Sequence, residues 1–266
     1  MGKIMEIQTF RGVNINVAGN ALAAVPGDSL IVKNAKEGSR IRCIAMWGKL
    51  QLAAGYIGVL SPLLHDSTRG FRTRCQVNTP DNQIPYGVSI PLHPQDNLTV
   101  QALCVDAAAD EEYVSMLNYY DDFPNVAANL IGSEALKSRI KNITTVEDTS
   151  GATAINSYSG NRVINVASDL LHANTEYALL GFEVGILCHA ITVIAPDFAN
   201  FRVGCPGNIV DSQLTQNWFK DLAEANGIDC IPVFNTANKG NIIIQVVQDE
   251  NAVVVPFSLV LAELHQ

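Results

Sequence analysis

NLTVQALCV, starting at Asn97, puts Leu98, Val100, Ala102 and Cys104 on one side of an extended chain. A period of two is the signature of a half-buried β-strand. VNINV, starting at Val13, has the same period. The first half carries further runs rich in Val, Ile, Leu, Thr and Tyr: MEIQTF, DSLIVK, SRIRCIAMW, KLQLAAGYIGVLS, GFRTRCQV, YGVSIPL and EYVSMLNYY. Turn residues such as Pro26-Gly27 separate them. Many short strands at regular spacing predict a sandwich or a barrel.

The pattern changes over 123–150. FPNVAANLIGSEALKSRIKNI has helical spacing, with Ser133 as a candidate cap, and TTVEDTSGAT reads as a loop. Strand patterns then resume with RVINVA, EYALLGFEVGILCHAITVIA, NFRVGC, CIPVFN, NIIIQVV and VVVPFSLVLAEL. One helix is inserted at 212–226, with Asp211 or Ser212 as cap, a stripe of Leu214, Trp218 and Leu222, and Gly227 as its stop. The apolar window Tyr177–Pro196 contains Glu183 and His189 and is punctuated by Gly181 and Gly185, so it predicts two successive strands rather than a membrane helix.

The second half repeats the first. Phe71, Arg72 and Cys75 match Phe201, Arg202 and Cys205 at an offset of 130 residues. VLSP ending at Pro62 matches VIAP ending at Pro196; Ile90-Pro91 matches Ile231-Pro232; NLTVQAL matches NIIIQVV from Asn241; Ser115-Met116 matches Ser258-Leu259. The anchors keep one order, with small shifts that fall across loops. An internal duplication explains this. The expected fold is all-β: two tandem antiparallel β-sandwiches, jelly-roll-like and related by internal duplication, with a few short helices. The expected division is a first sandwich at 1–122, a helical or loop connector at 123–150 and a second sandwich at 151–266.

Composition narrows the function. Charged residues make up 16% of the 266 residues, against about 25% in an ordinary soluble domain, and apolar residues 48%. A surface short of charge is expected to be covered in part by partners. The net charge of −9 and the scattered Lys and Arg argue against a nucleic-acid binder. The six cysteines have no C-x-x-C spacing and sit mostly in apolar runs, so they read as buried free thiols suited to a cytoplasm. MGKIMEIQTF has no apolar signal-peptide core.

Chemistry is sparse. PGDSL at Pro26–Leu30 resembles the GDSL motif of serine esterases, with Ser29 in the place of the nucleophile and Asp169 and His172 in an Asp-x-x-His string. Here a strand pattern, LIVKN, follows Ser29, where that family opens a helix; Gly-x-Asn-Asp is missing, and β and α segments do not alternate. Ser29 therefore reads as a turn residue. His65, His93, His172, His189 and His265 form no His-x-His or His-Glu-x-x-His pattern, and His189 reads as a packed core or interface residue. Asp110–Glu112 and Asp121-Asp122 could serve calcium but read as solvated loop charge. No catalytic, metal or cofactor-binding residue is assigned, and no enzymatic activity or cofactor is expected.

Two similar sandwiches, few charges and no catalytic constellation resemble the double jelly-roll major capsid proteins of tailless icosahedral viruses, including membrane-containing bacteriophages. That resemblance implies a virion protein assembled in the host cytoplasm. Its partners would be itself, as a homotrimer of pseudo-hexagonal outline within a larger shell, other capsid proteins, and a lipid membrane on the inner side, without direct contact to nucleic acid. The alternative is a two-domain binding module, glycan-binding or adhesin-like, using Trp47, Trp218 and Tyr119-Tyr120. A GDSL-like esterase is third.

Overall fold

The computed structural model describes residues 2–13, 23–33, 40–50, 55–65, 70–75, 82–104, 111–164, 171–207 and 213–265. The first half contributes β1 (Gly2–Val13), β2 (Ala23–Ala24), β3 (Leu30–Ile31), β4 (Ile41–Leu50), β5 (Gly55–Leu60), β6 (Phe71–Cys75), β7 (Ile90–Leu92), β8 (Asn97–Cys104) and β9 (Glu111–Phe123). They form two antiparallel sheets. Sheet I has the order β1-β9-β4-β7; sheet II has β2-β8-β5-β6, with β3 also pairing β8. With β2 and β3 taken as two pieces of one edge, this is the winding of an eight-stranded jelly roll, first-eighth-third-sixth against second-seventh-fourth-fifth.

The second half contributes β10 (Leu130–Ile131), α1 (Ser133–Arg139), β11 (Ile140–Thr149), β12 (Arg162–Val163), β13 (Glu176–Val184), β14 (Cys188–Ile194), β15 (Arg202–Pro206), α2 (Gln213–Gln216), α3 (Trp218–Asn226), β16 (Ile231–Asn235), β17 (Ile243–Gln248) and β18 (Pro256–Leu264). Sheet III runs β10-β16-β13-β18-β11 and sheet IV β12-β17-β14-β15. Without β10, the winding is that of the first half. Even the irregularities recur. Sheet I has a bulge between Cys43 and Ala45, opposite Asn118 and Leu117. Sheet III has one between Leu179 and Gly181, opposite Leu261 and Val260. When Ser115 is matched with Ser258, the two bulges coincide. Bulges are inherited features of a sheet, so their recurrence supports a common origin for the halves.

The repeat anchors fall on equivalent strands, with one slip. Val59 pairs with Phe71 and Val100, and Val193 with Val203 and Ile244. By this pairing Gln101 matches Gln245, as the sequence indicates, but Phe71 matches Val203 rather than Phe201. The shift is two residues, one side-chain period, so the strand has slid without turning over.

Other expectations need correction. The span 140–149, read as part of a connector, is the ten-residue strand β11, first strand of the second jelly roll. It looked like a loop because it is an edge strand: Val146 alone is buried, and the rest, Thr144, Thr145, Glu147 and Asp148 among them, is partly or fully exposed. The strand β9 runs to Phe123, so the connecting stretch is 124–139. Within it, α1 ends at Arg139 because Ile140 is already extended, and its cap position is Gly132, not Ser133. The inserted helix is two pieces, α2 and α3; Gly227 ends it in the left-handed conformation, at φ 62°. Asp211, Ser212 and most of VNINV lie outside the described residues. The apolar window splits into β13 and β14, as expected.

Both sandwiches are filled by their own inward faces. Ile4, Phe10, Cys43, Met46, Val100 and Met116 are among those that fill the first. In the second, β13 pairs with β16 only through Glu176–Ala178. Beyond that point α2 takes the place beside it: Thr215 Oγ1 donates to the Phe182 carbonyl at 2.5 Å. The approach requires Gly181, where a Cβ would fall 1.7 Å from the Thr215 oxygen. Gly181→Ala is therefore expected to lower the unfolding free energy by about 1–3 kcal/mol in a urea titration. Gly151, with nothing within 4 Å of a Cβ, should accept Ala within about 0.5 kcal/mol.

Candidate functional site

The main constructed polar site lies in the seam between the sandwiches. The outward face of sheet I packs on sheet IV, so sheet I is buried on both sides. Trp47, Tyr113 and Ile7 form the large side of the seam; Ala190, Thr192 and Gly204 form the small side. A Cβ at Gly204 would stand 3.0 Å from Ile7 Cδ1 and 2.3 Å from the Ile191 carbonyl oxygen, which explains the glycine.

Polar atoms in the seam are paired across it. Thr9 Oγ1 lies 2.9 Å from both Ser115 Oγ and Tyr158 Oη, and Ser115 Oγ donates to Tyr113 Oη at 2.7 Å. Trp47 Nε1 donates to the His189 carbonyl at 3.1 Å. The Tyr113 and His189 rings stack with centroids 4.4 Å apart. His189 Nε2 lies 3.0 Å from Asp249 Oδ1, the oxygen that also takes the Lys49 ammonium. All three side chains are buried. Burial pushes the Asp249 carboxyl up, but the hydrogen bonds and charges of His189 and Lys49 outweigh it and hold the group at about 2. Two chain segments 200 residues apart are thus joined by a buried ion pair. Chemically this is a clamp, and His189, read from the sequence as a packed core or interface residue, is buried in the interface. Lys49 and Asp249 gave no such signal: Lys49 merely opens the run KLQLAAGYIGVLS, and Asp249 belongs to no motif.

The other candidates are dispersed. Ser29 is exposed on the turn before β3, beside Asp28, which pairs with Arg11 at 2.6 Å. It lines a small groove with Gln8, Tyr158 and Arg202. His172 is elsewhere, 3.2 Å from Glu263, and Asp169 lies outside the described residues. His65 Nδ1 accepts the Ser61 N–H at 3.0 Å, and His93 Nδ1 lies 2.8 Å from the Pro94 carbonyl. Asp121 pairs with Arg42 at 3.1 Å, Glu112 is buried, and Asp110 is outside the described residues. Among the described residues no group of three His, Cys, Asp or Glu could hold a metal ion, and no helix is long and apolar enough to cross a membrane. The aromatics offered to a glycan, Trp47, Trp218, Tyr119 and Tyr120, are all buried, because each faces a core or the seam. Cys43, Cys188, Cys205 and Cys230 are buried free thiols. Burial raises all four, and such thiols are inert.

No protein-family model matches the chain, and no curated protein matches it. Among solved structures it is similar to the PBSX exported protein XepA, at 7% identity and TM-score 0.21, over 90% of this chain and 86% of that one. It is also similar to vicilin from Solanum lycopersicum (tomato), at 9% identity and TM-score 0.17, over 90% and 74%. Likenesses this low carry no argument about function.

Breaking the clamp leaves a buried charge uncompensated. Lys49→Met is expected to cost about 3–5 kcal/mol in chemical denaturation. The pH dependence follows from the sign of the Asp249 shift. Its carboxyl titrates lower in the folded protein, at about 2, than in an unfolded chain, at about 3.9. Its stabilisation is therefore complete above that value and is lost as pH falls from about 4 to about 2. In Asp249→Asn, melting temperatures should lose this acid-side slope.

Proposed function

We propose that the chain is a structural, self-assembling protein: the major capsid protein of a tailless icosahedral virus, with a homotrimer as building block. The observation that carries this reading is the doubled jelly roll, two copies with one strand order and one bulge position, joined face to face. A trimer then presents six similar sandwiches around a threefold axis, and such an outline tiles a closed shell. Symmetric self-assembly also gives a reason for fusing two copies in one chain, which a single binding site would not need.

The partners under this reading are further copies, other capsid proteins and a lipid membrane on the inner side. The net charge of −9 fits such contacts better than contact with a genome, and the place of the protein is the virion after assembly in the host cytoplasm. The glycan-binding alternative loses support because its aromatics are internal. The esterase reading has Ser29 on a turn without His172 beside it. A fluorophosphonate probe is expected to leave the intact protein unlabelled, and labelling abolished by Ser29→Ala would restore that reading.

Light scattering on purified protein is expected to give three times the chain mass of 28.7 kDa, and electron micrographs of concentrated samples should show closed particles. A monodisperse monomer at every concentration, salt and calcium level would reject the capsid reading.

A further inference from the structure

The turn that carries Asp28 and Ser29 has no role in the capsid reading. It forms one wall of a groove of about 270 Å³ where the two sandwiches meet. Gln8 and Arg11 of β1 line the groove from the first sandwich, and Tyr158 and Arg202 from the second. We propose that this groove binds the oxyanion of a small molecule, a phosphate monoester or a carboxylate, held between Arg202 and Arg11.

Arg202 is a half-buried cation without a counter-charge. Its Nη2 donates to the neutral amide oxygen of Gln245 at 2.8 Å. Its Nε is buried and meets no acceptor. Among the described residues no carboxylate forms an ion pair with it, because the acids nearby are engaged: Glu6 with Lys33 at 3.2 Å and Asp28 with Arg11 at 2.6 Å. An uncompensated charge out of water is costly, and an anion entering the groove removes that cost. The guanidinium is already positioned. It lies over the Tyr158 ring, 4.0 Å from the centroid, and Tyr158 is itself tied to Thr9. A planar fork fixed in this way suits two oxygens of a phosphate or carboxylate.

The second cation is close by. Burial raises the Tyr158 hydroxyl, while Arg202 and Arg11 both act to lower it, so both guanidiniums reach one point in the groove. Ser29 is exposed, and its hydroxyl makes no hydrogen bond among the described residues, so it is a free donor on the same wall. Among the described residues that line the groove, Asp28 is the one acid against two arginines. This local excess of positive charge stands out in a chain of net charge −9.

Neither arginine has an arginine counterpart in the other copy. With Ser115 matched to Ser258, the position of Arg11 is taken by Thr149. With Val203 matched to Phe71, the position of Arg202 is taken by Gly70. The jelly roll itself therefore requires neither cation. The groove lies just below the about 300–1,000 Å³ of ordinary ligand pockets, so its ligand is small. Ile31, 52% exposed, gives it an apolar edge.

Calorimetric titration of the full chain tests this with glucose 6-phosphate, glucuronate and, as neutral control, glucose. One or both acids are expected to bind and glucose is not; the acid that binds shows whether the groove takes phosphate or carboxylate. Arg202→Gln is expected to weaken binding about tenfold or more. Asp28→Asn removes the competing acid and frees Arg11, so it should tighten binding several-fold. Melting temperatures without ligand establish that each variant is folded, and if Arg202→Gln unfolds, Asp28→Asn on its exposed turn decides. No binding of either acid, binding of glucose as tight as that of the acids, or an affinity unchanged in both variants would overturn the proposal. Each of these outcomes leaves the capsid reading as it stands.

Discussion

Sheet I has protein on both sides, and the rest of the structure follows from that constraint. A sheet with one wet face alternates apolar and polar residues, whereas one buried on both faces must find partners for both sets. In β9 the inward set is Val114, Met116 and Tyr120; the outward set is Tyr113, Ser115, Leu117 and Tyr119. All are buried. The second sandwich is therefore a wall of the first rather than a neighbour on a tether. Large side chains on sheet I limit what sheet IV can carry, as at Gly204, where a Cβ would stand 3.0 Å from Ile7 Cδ1. The ionic clamp of Lys49, Asp249 and His189 obeys the same constraint. Where charge enters a dry seam it must be matched there, and the match fixes how one sandwich sits on the other.

Duplication explains the scaffold, and divergence explains the surfaces. The strand order and the bulge at Ile44 and Leu180 are common to both copies. What differs is an insertion and the outward rows. Between β15 and β16 the second copy inserts α2 and α3, which bury Trp218, Phe219 and Leu222. Trp218 meets Trp47 edge-on at 5.9 Å, so the insertion also serves the seam. Sheets keep their interiors while their outward rows change, because an inward change costs packing in one copy and an outward change costs nothing until a partner arrives.

Legibility in the sequence divides along the same line. Local rules were enough for β8, whose Leu98, Val100 and Ala102 are buried as their period requires, and for Gly227 as a helix stop. The ordered anchors were enough for the duplication. Edge strands were not legible: β11 has one buried residue, Val146, and its Thr-rich, acidic remainder has the composition of a loop. Register within a matched strand was not legible either, since a slip of two residues preserves the face and the Phe-Arg-x-x-Cys match survives it. The seam was the least visible. Lys49 finds Asp249 across 200 residues, and no local pattern marks either as buried. Trp47 and Tyr113 have the ordinary look of strand aromatics.

The seam also changes what the low charge means. A chain with 16% charged residues invites the conclusion that its apolar runs await partners. Much of that apolar surface is already covered within the chain: β4, β9, β13 and β14 are buried along most of their described residues on both faces. Of the exposed large apolar residues, several stand in connections, among them Leu63, Leu64, Tyr86, Val88, Ile186 and Val254. Single exposed apolar residues are ordinary on soluble proteins. Composition alone therefore argues for tight internal packing at least as strongly as for assembly. The case for assembly rests instead on the doubled jelly roll, two sandwiches of one strand order within a single chain.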